Sequence, residues 1–286
     1  MAMSDNYPLT AIPGAQGLWH ILNRSPSFGG DVWIHLIPGK DKAILLDTGF
    51  GIGDLKGMVE KLTDLPIIVV NSHFHGDHAG GNAAWDKVYA HKLDAPILRE
   101  MMKKDPAPVP EEDKKQYNYF ESDLVPKKDY DIEEFEDGYV FDLGGGYEVE
   151  VFHLPGHSEG CCGLLDRKRR IFFSGDCIIG THILFTSSSP DQKITPNMTI
   201  ENYRKGIQRL MDHFDEFDSV YPSHSNLGMS KQLVTDFAAC CDELLAGDLT
   251  AHAYVTAFPG TPIFGKPYHI HGMAKIAFDA ARIHVQ

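Results

Sequence analysis

The sequence predicts an α/β fold in which layered β-sheets are covered by helices. Runs of β-branched and alternating apolar residues predict strands, and segments with a helical apolar period separate groups of these strands twice along the chain. Each element must bury its apolar face against another, so this order indicates sheets covered by helices. The 286 residues suffice for one large domain or two small ones. No close internal repeat or domain linker is evident, which predicts a single domain over 1–286.

The first half of the chain predicts five strands and two helices. The predicted strands are 18–22, 32–37, 42–47, 66–71 and 87–90, and the predicted helices are 52–63 and 92–104. Residues 105–138 differ, because three prolines lead into a charged segment with little apolar periodicity. This segment predicts an insertion or lid rather than sheet.

The second half predicts strands, a hairpin and two amphipathic helices. Its predicted strands are 139–143, 147–153 and 219–224, with one or two more in 267–285. A hairpin is also predicted from "CGLLD" to "RRIFFSG", with its turn at Arg167–Arg169. Thr199 is the expected N-cap of a helix over 199–214, since a threonine hydroxyl accepts hydrogen bonds from free helical N–H groups. Ser230 is the expected N-cap of the next helix.

Composition and charge exclude several classes of function. The formal net charge is −14, which argues against general binding to nucleic acid or to an anionic membrane. The N-terminus has neither the basic nor the apolar region of a signal peptide, and no apolar run approaches the ~18 residues that span a bilayer. Five cysteines without CxxC spacing predict reduced thiols. A cytoplasmic protein that binds neither nucleic acid nor membrane is therefore expected, and the composition gives no indication of its oligomeric state.

The stretch "NSHFHGDHAGGN", residues 71–82, contains four potential metal ligands within six positions. Imidazole nitrogen and carboxylate oxygen together suit zinc, iron and manganese. His73 and His75 are two residues apart, so on an extended chain both side chains point the same way and can reach one ion. Asp77 and His78 follow the turn and can face a second ion. Four ligands are too few for two ions, because zinc usually takes about four ligands.

Further ligands follow other predicted strands. His157 lies in "VEVFHLPGHSEG", Asp176 in "RIFFSGDC" and His224 in "SVYPSHSN". Each follows an apolar strand beside glycine, proline or serine, where a functional loop on a rigid scaffold is expected.

These motifs resemble the metallo-β-lactamase superfamily, in order, from about residue 30 to 230. The matching elements are "ILLDTG", the H-x-H-x-D-H signature "HFHGDH", "PGHSEG", "SGD" and "PSH". The resemblance implies a four-layer αβ/βα sandwich. It also implies that His73, His75 and His157 hold one metal ion, that Asp77, His78 and His224 hold a second, and that Asp176 bridges the two. Asp47 is then expected to brace the metal loop by hydrogen bonds.

The resemblance implies a dinuclear metal-dependent hydrolase. Two divalent ions, zinc first and manganese or iron as alternatives, activate a bridging hydroxide that attacks an ester-like carbonyl. The carbonyl belongs to a small-molecule thioester, lactone, ester or amide. Asp77 is the expected catalytic residue, since it can orient the nucleophile or assist proton transfer. No covalent role is assigned to Ser158, Ser174 or Cys177.

Comparison among branches of the family favours the thioesterase and lactonase enzymes. Asp176 stands where some β-lactamases carry cysteine, and Ile179 stands where lactonases carry tyrosine. No convincing match to the basic glutathione-binding residues of glyoxalase II is found after residue 265. The alternatives are a mononuclear-iron persulfide dioxygenase, a β-lactamase and a non-catalytic metal-binding module.

Other features carry less information about function. "LLDTGFGIGD" lacks the third glycine of a dinucleotide fingerprint, because position 54 is aspartate. The loops 105–138 and 177–198 are candidates to line the pocket, with Phe28, Trp33 and His182. His269 and His271 are expected to lie on an edge strand, because no acidic or histidine partner is close in sequence.

Overall fold

A computed structural model describes residues 9–24, 31–105, 108–117, 120–180, 183–184, 195–224, 226–252 and 268–285. The chain divides into two compact units. The first comprises Met1–Glu136 and Phe141–Glu148, and the second comprises Asp137–Val140 and Val149–Gln286. Among the residues described, no helix is both long and apolar enough to cross a membrane.

The first unit contains a mixed seven-stranded sheet. In spatial order its strands are β1 (Thr10–Pro13), β2 (Trp19–Asn23), β3 (Val32–Pro38), β4 (Ala43–Leu46), β5 (Ile67–Val70), β6 (Lys87–His91) and β7 (Asp131–Phe135). The pairs from β1 to β4 are antiparallel, and those from β4 to β7 are parallel. Strands β4 and β5 therefore end at the same edge of the sheet, which places the residues after Leu46 beside those after Val70.

Four helices accompany this sheet: α1 (Leu55–Leu62), α2 (Gly76–Ala79), α3 (Ala95–Lys103) and α4 (Glu111–Tyr117). Helix α1 begins after Asp54, whose carboxylate accepts a hydrogen bond of 2.8 Å from the Gly57 N–H. Its buried Val59 packs with Leu45 and Val69 of the sheet in one apolar cluster. Burial of this apolar face anchors the helix to the sheet.

From Asp137 onward the chain forms a six-stranded mixed sheet and a smaller three-stranded sheet. The larger sheet consists of β8 (Val140–Asp142), β9 (Glu148–His153), β10 (Cys162–Asp166), β11 (Ile171–Gly175), β13 (Ser219–Pro222) and β14 (Met229–Ser230), in the order β14-β13-β11-β10-β9-β8. The smaller sheet consists of β12 (Ile183–Leu184), β15 (Tyr268–His271) and β16 (Ala274–Ala277), in the order β12-β16-β15.

Strands β9, β11 and β13 run in the same direction. Strand β10 is antiparallel to both β9 and β11, and β11 is parallel to β13. The residues that follow these three strands therefore meet at one edge of the sheet. Helices α5 (Ile200–Met211) and α6 (Gln232–Leu245) bury Ile207 and Leu233 in a cluster with Phe172.

The predicted N-cap of α5 is present. The Thr199 hydroxyl accepts a hydrogen bond of 3.2 Å from the Asn202 N–H. Thr199→Ala is expected to lower the free energy of unfolding by about 1 kcal/mol, because it leaves this N–H without its cap. Urea denaturation measures the change, and an unchanged midpoint would contradict it. Helix α6 begins at Gln232 after Lys231, so the predicted cap Ser230 lies one residue before the cap position, but its hydroxyl accepts a hydrogen bond of 3.2 Å from the Gln232 N–H.

The prediction that 105–138 is not sheet is wrong for residues 131–135. They form β7, which pairs in parallel with β6 at the edge of the first sheet. The sequence "DIEEF" has only one buried residue, Phe135, so the apolar alternation that predicts a half-buried strand is missing. Charged side chains are typical of edge strands, where they oppose pairing with other chains. A lid function of 105–138 stays a prediction.

His269 and His271 lie on an edge strand, as predicted, and they contact an acidic residue from a distant helix. Glu243 of α6 accepts a hydrogen bond of 2.8 Å from His269 Nε2 and one of 2.7 Å from His271 Nδ1. The sequence could not reveal this partner, since Glu243 precedes His269 by 26 residues. These contacts join β15 to α6.

The Glu243 contacts predict a pH-dependent contribution to stability. Hydrogen bonds from His269 and His271 lower the pKa of the Glu243 carboxyl. Its stabilisation is therefore present above the ordinary glutamate pKa of about 4.3 and is lost as the pH falls through the lowered value in the folded protein. Glu243→Gln is expected to unfold at lower urea than the wild type at pH 6, with the difference vanishing at about pH 3. A difference that stays constant between these pH values would contradict the prediction.

Candidate metal centre

The first unit brings four of the predicted ligands together directly after β5. His73 and His78 are buried, and their ring centroids are 4.1 Å apart, while the His75 ring lies 4.5 Å from that of His73. Asp77 Oδ2 is 3.5 Å from His78 Nε2, and 30% of the Asp77 side chain is exposed. The cluster thus combines three imidazoles with one accessible carboxylate.

Asp47 fixes this cluster from the end of the neighbouring strand β4. Its carboxylate accepts hydrogen bonds from Ser72 N at 2.7 Å, Ser72 Oγ at 2.8 Å and His78 Nδ1 at 2.7 Å. The predicted hydrogen bonds from Asp47 to the loop are therefore present. The Asp47 backbone has φ of 69°, in the left-handed region that is costly for most residues, and the surrounding contacts hold it there.

The hydrogen bonds also assign the proton positions on two imidazoles. Since the Asp47 carboxylate is an acceptor, His78 carries its proton on Nδ1, which leaves the Nε2 lone pair for a metal ion. Ser72 donates its only hydroxyl proton to Asp47, so its oxygen accepts from His73 Nδ1 at 3.1 Å. The Nε2 lone pair of His73 is then also available.

The second unit brings the other three predicted ligands together. His157 lies in the loop after β9, Asp176 follows β11 and His224 follows β13. Asp176 Oδ2 is 3.3 Å from His157 Nε2 and 3.6 Å from His224 Nε2. A buried carboxylate between two imidazole nitrogens is a donor set that fits a divalent cation.

The residue after Asp176 is unsuited to act as a thiolate. Cys177 is buried, and burial raises the pKa of its thiol, so the thiol stays protonated. Its backbone carbonyl accepts a 2.6 Å hydrogen bond from the Tyr203 hydroxyl, which anchors the chain beside Asp176. All five cysteines are free and buried, as predicted for reduced thiols.

Several supporting residues were missed by the sequence analysis. They are Thr48, Asn71, Ser72, Asn82 and Asp94, all buried. Asp94 accepts a hydrogen bond of 3.1 Å from the Phe74 N–H inside the ligand-bearing loop. Asn71 and Asn82 bracket that loop in the sequence, and their position is the one available signal of a role. Phe28 and His182 lie outside the described residues, and Trp33 lies on β3.

A family model provides the decisive comparison. The model of the metallo-β-lactamase superfamily matches residues 28–216, which is more than half of the chain. The chain belongs to the metallo-β-lactamase superfamily. The predicted resemblance to the superfamily is thereby confirmed; four of the five sequence motifs lie within the matched residues, and "PSH" follows them.

Curated relatives within the superfamily include thioesterases and a lactonase. The acyl-coenzyme A thioesterase MBLAC2 of Gallus gallus is 25% identical, over 77% of this chain and 82% of the relative. The Homo sapiens protein of the same name is 26% identical, over 73% and 78%. An N-acyl homoserine lactonase of Bacillus sp is 28% identical, over 57% of this chain and 68% of the lactonase.

Solved structures show the superfamily fold. A metallo-β-lactamase from Pontibacter korlensis has a TM-score of 0.59 at 19% identity, over 81% of this chain and 98% of that protein. The metallo-β-lactamase FIM-1 from Pseudomonas aeruginosa has a TM-score of 0.57 at 18% identity, over 85% and 99%. The predicted metallo-β-lactamase fold, with two mixed sheets and flanking helices, is confirmed.

Proposed function

We propose that the protein is a dinuclear metal-dependent hydrolase that cleaves a thioester of a small molecule. One observation supports this proposal above the others. The chain belongs to the superfamily, and its two His/Asp clusters together contain every predicted ligand. The imidazole nitrogens and the carboxylate oxygen of each cluster suit zinc, manganese or iron.

The proposed centre combines the ligands of both clusters. His73, His75 and His157 hold one ion, and Asp77, His78 and His224 hold the other. Asp176 would be the ligand shared by the two ions; in the second unit its Oδ2 lies 3.3 Å from His157 Nε2 and 3.6 Å from His224 Nε2. When bound, two divalent ions supply Lewis-acid chemistry, in that they acidify water and polarise a carbonyl oxygen.

The protein side chains supply orientation and proton transfer. Asp77 is the proposed catalytic residue, because its partly exposed carboxylate can accept a hydrogen bond from the attacking water and take up its proton. Asp47 keeps the proton of His78 on Nδ1. Ser158 and Ser174 are buried and have no role as nucleophiles, and the Cys177 thiol is held protonated.

The curated relatives support a thioester as the first substrate to test. The relatives named as acyl-coenzyme A thioesterases align with 73–77% of this chain, whereas the lactonase aligns with 57%. Lactones, other esters and amides share the attacked carbonyl and are the alternative substrates.

One substrate panel tests the proposed function. The protein is reconstituted separately with zinc, manganese and iron, and incubated with acyl-coenzyme A thioesters, acyl-homoserine lactones and a β-lactam. We expect release of free thiol from the thioesters, lost after dialysis against a chelator and restored by the metal. Persulfide-dependent oxygen uptake by the iron form without hydrolysis would favour a dioxygenase and overturn the proposal, as would inactivity of all three forms toward the panel.

A further inference from the structure

The loop that carries four predicted ligands begins and ends with asparagines whose side chains pair. Asn82 Nδ2 donates to Asn71 Oδ1 at 2.8 Å, and Asn71 Nδ2 donates back to Asn82 Oδ1 at 3.1 Å. Both side chains are buried, with 1% of each residue exposed. Such a reciprocal pair closes residues 71–82 into a ring joined by two hydrogen bonds.

Neighbouring groups leave this amide pair a single orientation. The His78 carbonyl can only accept, and it lies 3.5 Å from Asn71 Nδ2, which identifies that atom as the donor; Asn82 Oδ1 then accepts from Asn71 Nδ2 and lies 2.8 Å from the Thr48 hydroxyl. Asn82 Nδ2 also donates to the Tyr130 hydroxyl at 3.4 Å. Flipping either amide would place two acceptors or two donors against each other in a buried site, which is costly.

The same network holds the backbone of His78. The His78 carbonyl accepts from Thr48 N at 2.7 Å, and it lies 3.0 Å from Thr48 Oγ1 and 3.5 Å from Asn71 Nδ2. Asp47 holds the imidazole of the same residue. The side chain and the main chain of His78 are thus fixed by separate partners.

Close packing at the end of the loop depends on glycine. A Cβ atom at Gly81 would lie 2.4 Å from the Thr48 carbonyl oxygen, so only glycine lets the chain approach there. This approach brings Asn82 within reach of Thr48 and Asn71. Close packing against Thr48 therefore explains the second glycine of "GGN", residues 80–82.

We propose that the Asn71–Asn82 pair is a positioning clasp for the metal loop. The pair keeps the backbone of His78 and the adjacent Asp77 where their side chains can bind a metal ion. Loss of the pair therefore lowers metal affinity more than does a substitution elsewhere that lowers the free energy of unfolding by the same amount. The proposal rests on the proposed function, since Asp77 and His78 are metal ligands only within it. Asn71 and Asn82 are positioning residues and do not touch the substrate.

The test uses Asn82→Asp in the full-length protein. Aspartate retains the acceptor for Thr48 but replaces the amide donor with an oxygen that faces Asn71 Oδ1. Thr199→Ala is the control, because it removes a helix cap in the other unit without touching the loop. Chelator competition measures zinc affinity, and the absorption of the cobalt-substituted protein reports on coordination.

We expect Asn82→Asp to weaken the binding of one of two zinc ions about 10- to 100-fold, as for other groups that orient ligands. Thr199→Ala should leave both affinities unchanged. If Asn82→Asp does not fold, Tyr130→Phe is used instead. This variant removes the hydroxyl beside Asn82 and should weaken the binding of the same zinc ion roughly two- to tenfold. Wild-type affinity and cobalt spectra in whichever of these two variants folds would overturn the clasp.

Hydrogen exchange separates failure of the clasp from failure of the proposed function. The amide hydrogens of Ser72, His78 and Ala79 are donated within the protein and should exchange about tenfold faster in Asn82→Asp but not in Thr199→Ala. A wild-type protein that binds no metal overturns the proposed function and with it the role of the clasp in metal binding. Unchanged exchange overturns the clasp even if the wild type binds two ions.

Discussion

Replacing Asp176 with alanine is expected to remove bound metal and activity together. The carboxylate lies between His157 and His224, and in the proposed centre it is the only ligand shared by both ions. Without it both ions lose a negatively charged ligand, and the Lewis-acid contribution of several kcal/mol to the reaction is lost. We expect kcat/KM for a thioester to fall at least about a thousandfold.

The control for this substitution is Asp236→Ala in the same unit. Asp236 is also a buried carboxylate, and it accepts a hydrogen bond of 2.9 Å from the Met273 N–H, in the turn after β15. This variant should lose stability but keep its metal content, as measured by mass spectrometry of the metals. Normal activity in Asp176→Ala, or equal loss of metal in both variants, would show that the assignment of Asp176 is wrong.

Replacing Asp47 with asparagine should have the second largest effect. Asparagine tolerates the positive φ at this position, so the backbone can be retained. Its amide cannot accept all three hydrogen bonds that Asp47 receives from Ser72 and His78. We expect the free energy of unfolding to fall by about 1–3 kcal/mol and metal affinity to fall about 10- to 100-fold.

Asp54→Asn is the matched control for Asp47→Asn. Asp54 is an exposed N-cap in the same unit, and asparagine caps helices about as well as aspartate does. Urea denaturation and chelator competition should both give wild-type values for this control. Wild-type metal affinity in Asp47→Asn would contradict a bracing role for Asp47 in the metal loop.

The sequence predicted the ligand clusters because strand direction and motif spacing determine where they lie. His73 follows a β-branched strand, and parallel pairing of β4 with β5 brings Asp47 beside it. Likewise, β9, β11 and β13 run in one direction, which brings His157, Asp176 and His224 to one edge. An apolar run followed by a polar turn marked these positions as candidates, and the resemblance to the superfamily selected the predicted ligands among them.

The sequence predicted less where contacts depend on distant residues. Strand β7 was missed because most of its side chains are charged and exposed. Its backbone pairs with the neighbouring strand β6, and this pairing leaves no local pattern in the sequence. The contact of Glu243 with His269 and His271 joins a helix to a later strand. Pairing between side chains remote in sequence has no local pattern, so only the folded chain reveals it.

The Asn71–Asn82 pair is an intermediate case. Both residues belong to the stretch that first indicated a metal site, but composition gives asparagine no more than a preference for turns. Their pairing became evident only when β5 and the turn after α2 were seen to bring both amides into one buried site. The local sequence thus predicts the candidate ligands, whereas only the tertiary fold reveals which side chains hold them in place.

Metal content is the most direct measurement of the central claim that the protein holds a dinuclear centre. The protein is purified without chelator, reconstituted with zinc or manganese, freed of unbound ions and measured by mass spectrometry of the metals. The proposed seven-ligand site predicts about two ions per chain. A content that stays below about 1.5 ions per chain with both metals would contradict the dinuclear centre.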